Sequence, residues 1–116
     1  MQIDQIRNMC LELQGVEESI KWEHNLCFTV GKKLFLILNP DNFPIDGSFK
    51  TTKETYTLLL ENEGFSPAPY LARYDWIYFD QLSRFRMEEW ELHIKKSYEL
   101  VFDKLPTKIR KEIGSE

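Results

Sequence analysis

The stretch Leu26-Cys27-Phe28-Thr29-Val30-Gly31-Lys32-Lys33-Leu34-Phe35-Leu36-Ile37-Leu38 decides the fold. Two β-prone runs flank Gly31-Lys32, and a two-residue link that opens on glycine is the sequence of a tight hairpin. Glycine at the first central position predicts a type II′ turn, whose twist suits paired antiparallel strands. The second arm is apolar on both of its faces. It should therefore lie near the middle of a sheet that helices cover on one side.

Upstream of the hairpin, Ile3, Ile6, Met9, Cys10 and Leu13 recur at helical spacing and predict a helix over 3–14, stopped by Gly15. Residues 17–22 predict a strand and 23–25 a turn. Downstream, Asn39-Pro40-Asp41-Asn42 breaks the second arm, and Ser48-Phe49-Lys50 predicts a short strand. Thr51-Thr52-Lys53-Glu54 has capping-box spacing, with Thr51 as the cap of a helix running to about Glu63. Residues 66–75 carry Pro67 and Pro69 and no periodicity, which predicts an ordered loop. Trp76–Phe79 reads as a strand. Met87–Lys104 reads as a helix, with Trp90, Ile94, Tyr98 and Val101 on its apolar stripe. Pro106 ends it, and a short basic turn or helix follows. The order is α-β-β-β-β-α-β-α: an α+β two-layer sandwich, an antiparallel sheet with helices on one face.

Composition sets the outer limits. The chain has 116 residues, 42% hydrophobic and 29% charged, which fits a single domain over 1–116 with a sizeable core. Its net charge is −4, against the usual basic balance of proteins that hold nucleic acid by bulk charge. No apolar run approaches the ~20 residues of a membrane-spanning helix. The opening Met1-Gln2-Ile3-Asp4 lacks the features of a secretory signal, so the cytoplasm is the expected compartment. A monomer is the expected state. Cys10 and Cys27 should then be reduced apolar fillers.

The sequence holds no glycine-rich phosphate loop, no nucleophile elbow and no acid/base pair at a telling spacing, so no catalysis and no cofactor are expected. His24 and Cys27 have the spacing of half a metal site, but the further ligands are missing, and His24 reads as a turn residue. His93 reads as a surface residue of the last helix. Glu88, Glu89 and Glu91 complement the dipole at that helix's start. Two features admit a functional reading beside a plain one. Lys104, Lys108, Arg110 and Lys111 are either a solvated helix end or a phosphate-contacting patch. In Pro67-Ala68-Pro69-Tyr70-Leu71-Ala72-Arg73-Tyr74-Asp75-Trp76, aromatics interleave with a guanidinium that could meet bases and phosphates. The plain reading has Trp76 in the core and Tyr70 packing the loop down.

Several phrases in order resemble the MmcQ/YjbR family of small bacterial proteins. They are Cys10-Leu11-Glu12-Leu13-Gln14-Gly15-Val16-Glu17-Glu18, the hairpin, Ser48-Phe49-Lys50, and Ser97-Tyr98-Glu99-Leu100-Val101 followed by Leu105-Pro106. Many members carry Y-H-M-N-K-x-H-W where this chain has Pro69–Trp76. The basic residue and the tryptophan persist as Arg73 and Trp76, while Ala72 and Asp75 replace Asn and His, which resembles a P-A-P-Y-L-A-R subgroup. The resemblance implies a frataxin-like (CyaY-like) sandwich and a DNA-binding role. Lys32 and Lys33 at the hairpin tip would lie beside phosphates, with Lys50, Lys53 and Arg73 on an adjacent surface. The alternative is a pocket for a small anionic ligand or a partner protein, lined by Tyr70, Arg73, Trp76 and Lys50. The candidate binding residues are thus Lys32, Lys33, Lys50, Lys53, Tyr70, Arg73 and Trp76, with no metal ligands.

Overall fold

The computed structural model describes residues 2–114. Helix α1 (Gln2–Leu11) leads into strands β1 (Val16–Lys21), β2 (Asn25–Val30), β3 (Lys33–Asn39) and β4 (Asp46–Lys50). Helix α2 (Lys53–Leu59) follows, then β5 (Phe65–Pro67), β6 (Trp76–Phe79), the long helix α3 (Met87–Phe102) and α4 (Thr107–Gly114). Short 3-10 turns lie at Ala72–Tyr74 and Leu82–Arg84. The strands form one antiparallel sheet in the order β1-β2-β3-β4-β6-β5, so the fold is the expected α+β sandwich with β3 in the interior.

The two faces of the sheet are covered differently. Leu26, Phe28, Val30, Leu36, Leu38, Phe49, Ile77 and Phe79 pack with Ile6, Cys10, Trp90 and Ile94 from the helices. Trp90 is fully buried among Phe49, Phe79 and Phe85, and its indole N–H donates to the Leu82 carbonyl at 2.8 Å. Buried Ser97 donates to the Phe35 carbonyl at 2.7 Å and pins α3 to β3. The opposite face has a smaller cluster of Cys27, Ile37, Ala68 and Trp76, with Leu34, Leu71 and Tyr78 around it. Among the described residues no α-helix contributes to it; Ala68 and Leu71 of the segment after β5 pack on it. Cys10 and Cys27 are both buried free thiols, and burial pushes the Cys10 thiol up to about 12.

Local expectations are corrected at several points. The hairpin turn has positive φ at both Gly31 (57°) and Lys32 (67°), which is the signature of type I′ rather than II′. Glycine is required at the tip for a second reason: a β-carbon on Gly31 would come within 2.6 Å of Leu105. The cap of α2 is Thr52, whose hydroxyl accepts from the Thr55 amide at 3.1 Å, while Thr51 is buried and its amide donates to the Asp75 carbonyl. The loop expected over 66–75 contains the end of β5. A strand with a proline is tolerated there because β5 forms the sheet border. His93 is half-buried instead of on the surface, its ring 4.3 Å from that of Phe85, and burial lowers its pKa. Among the described residues no helix is long and apolar enough to cross a membrane, and no group of three or more His, Cys, Asp or Glu side chains could hold a metal ion.

A lysine-rimmed groove at one end of the sheet

The strand ends fix the position of the groove. β3 starts at Lys33, β4 finishes at Lys50 and β6 starts at Trp76, so antiparallel pairing brings these three positions to the same end of the sheet. The last turn of α3 and the chain beyond it close over that end. The resulting groove has a volume of about 530 Å³. Its floor is apolar, with Leu34, Leu71, Trp76, Val101 and Leu105, and Lys33, Lys50 and Lys104 stand around it.

None of the ion pairs among the described residues uses these three lysines. Lys50 is the most constrained. Its ammonium donates to the Tyr74 carbonyl. Burial, and then the like charge of Lys104, lower its pKa, while Asp75 acts weakly in the other direction. Like charges are thus gathered over an apolar floor, with no ion pair among the described residues to balance them.

The loop over the open face supplies the rim. Ala68-Pro69-Tyr70-Leu71 closes with the Leu71 amide donating to the Ala68 carbonyl at 3.2 Å. Tyr70 is the third residue of this turn and has φ of 67°. Proline second and positive φ third define a type II turn, a place that favours glycine. A tyrosine held there is strained, and its side chain is 98% exposed, against the expectation that it packs the loop down. Arg73 donates to the Tyr74 hydroxyl at 2.8 Å, and its guanidinium lies 4.9 Å from the centre of the Tyr74 ring. Tyr74 in turn lines the groove.

Of the expected site residues, Lys33, Lys50 and Trp76 meet in the groove. Trp76 contributes only as floor, being 5% exposed and so closed to stacking on a base. Arg73 reaches the rim through Tyr74, whereas Tyr70 does not line the groove. Lys32 is exposed at the hairpin tip and Lys53 is exposed at the start of α2, both outside the lining. The sequence reading missed the contribution of α3 and α4. Lys104 reads in the sequence as part of a solvated helix end or of a phosphate-contacting patch, in neither case as a neighbour of Lys33 and Lys50. The apolar spacing of Leu105, Ile109 and Ile113 was the available signal, because it marks a segment that docks. Leu105 and Ile109 pack on the Gly31 turn and bring the start of α4 beside the hairpin tip.

Comparisons with known proteins agree with this architecture. The domain superposes on the crystal structure of Deinococcus radiodurans protein DR2400, which carries a DUF419 domain, with a TM-score of 0.86 over 97% of this chain and 87% of that one. At 23% identity the likeness concerns the fold. No curated protein matches the chain. The family model named YjbR matches residues 11–100, from the end of α1 to the last turns of α3. The chain belongs to the YjbR family.

Proposed function

We propose that this domain binds DNA through its basic end and performs no catalysis on it. One observation carries the reading. Lys32, Lys33, Lys50 and Lys104, with Lys108, Arg110 and Lys111 of α4, come from segments that meet around the Gly31 turn, and none is used in an ion pair among the described residues. Phosphates would supply the missing counter-charge. Fully exposed Tyr70 and the stacked Arg73–Tyr74 pair offer flat surfaces to unpaired bases, which favours single-stranded segments over duplex. The net charge of −4 opposes this contact from the rest of the molecule, so binding should be modest and strongly salt-dependent. Anisotropy titration of a labelled single strand at ~50 mM salt tests the reading, and absence of binding there removes it.

A second reading has its own support. The apolar floor and the volume of about 530 Å³ suit a small anion with an apolar body, within the roughly 300–1,000 Å³ of small-ligand sites. Under that reading nucleotides or anionic metabolites raise the melting temperature of the wild type and not of Lys50→Met. DNA would then bind no better than an isolated phosphate ester.

A further inference from the structure

We infer that two copies of this chain pair along β1, joining their sheets across a two-fold axis. The proposal does not rest on the nucleic-acid reading, and it departs from the expectation of a monomer.

β1 is a border strand, bonded to β2 on one side and, among the described residues, to no strand on the other. None of the turn and loop backbone hydrogen bonds among the described residues reaches Glu17–Lys21. The opposite border, β5, is three residues long and ends in Pro67, which blunts it against pairing. β1 has six residues, contains no proline and keeps an unbroken register with β2. Glu17, Ser19, Ile20 and Lys21 are exposed along it, Ile20 at 60%. Such an edge is a template for another strand.

Charge selects a second copy as the occupant and also selects the register. A two-fold axis perpendicular to the sheet sets residues of the same face opposite one another. Centred on Ser19, it places Glu17 opposite Lys21 of the other copy, twice, and Glu18 opposite Ile20. Centred on Glu18, it would set that carboxylate against its own copy. Centred on Ile20, it would set Glu17 against Glu23. Of these three registers, only the one centred on Ser19 gains opposite-charge pairs without a like-charge contact. On the helix face, the incoming Ile20 then meets a groove of about 480 Å³ lined by Ile3, Leu26 and Pro40 beside the Arg7–Glu18 pair.

Charge exchange tests the pairing. Sedimentation equilibrium of the wild type should give twice the 13.9 kDa chain mass, with Kd below about 100 μM. E17K alone and K21E alone each convert both opposite-charge pairs to like-charge pairs and should raise Kd by about tenfold or more. Mixed one to one, the two variants should recover a heterodimer, because each supplies the sign the other lacks. That recovery also shows both variants to be folded. A monomeric wild type overturns the proposal. So does a dimer indifferent to either substitution, which would place the interface elsewhere. A mixture that stays monomeric while both variants keep the wild-type circular dichroism also overturns it, and an unrelated partner strand would then be the occupant to seek.

Discussion

The two ends of the sheet treat polar side chains in opposite ways. Where β2 and β4 begin, the Asn25 amide donates to Asn39, and Asn39 and Asn42 each donate to Asp46 at 2.8 Å. The Tyr78 hydroxyl donates to the same carboxylate, and burial together with that bond pushes its pKa up to about 12. Nearby, His24 and Asp41 stand 3.1 Å apart. Each polar group in this network completes another. At the opposite end, Lys33, Lys50 and Lys104 line a groove with no ion pair to any of them among the described residues, and the Lys50 ammonium is disfavoured by burial and by Lys104 more than Asp75 favours it. Polar groups that hold a fold find partners within it. Cations that gather without ion-pair partners weaken the fold, and under the proposed reading a ligand of opposite charge would offset that cost.

This contrast can be broken in four ways. The largest effect belongs to the triple variant K33E/K50E/K104E, which should lower affinity for single-stranded DNA by about 100-fold or more at ~50 mM salt. Equivalent substitution of Asp41 and Asn42 should leave affinity unchanged in the same titration. Next comes Asp46→Ala, which strands three donors and should reduce stability by about 1–3 kcal/mol in urea denaturation while leaving DNA binding intact. Lys50→Met should do the reverse. Its melting temperature should equal or slightly exceed the wild type's, because a disfavoured charge is gone, and its binding should weaken with the salt slope smaller by about one.

The smallest effect concerns Arg7 and Glu18, paired at 2.6 Å. The hydrogen bond from Arg7 holds the Glu18 carboxyl below its ordinary 4.5. A carboxyl with a lowered folded-state pKa adds stability above its unfolded value and loses it as pH falls through the folded value. The melting temperature of Arg7→Met should therefore lie below that of the wild type at pH 7. The two should converge as acidification protonates Glu18. A gap that persists at low pH would mean that Arg7 acts through packing alone.

The strands and long helices were legible because their residues are locally consistent. The unbroken apolar run Leu34–Leu38 could only be an interior strand, and Trp90, Ile94 and Tyr98 could only line a helix against it. β5 was not legible: three residues with a proline carry no period, and only pairing with β6 makes them a strand. The turn type was missed because Lys32 takes a left-handed conformation that its side chain gives no reason to expect. Half of the groove was legible. Lys33, Lys50 and Trp76 were singled out as residue types, but their convergence depends on register. Lys104 joins them through the docking of Leu105 and Ile109 on the Gly31 turn, a contact between distant parts of the chain.

The claim that the basic end receives a polyanion is tested most directly by the salt dependence of DNA affinity in the wild type and in a variant with Lys33, Lys50 and Lys104 all changed to Gln. The account predicts a log–log slope of about −2 to −3 for the wild type and a slope reduced by about two or more in the variant. No binding at ~50 mM salt, or equal slopes for the two proteins, would contradict it.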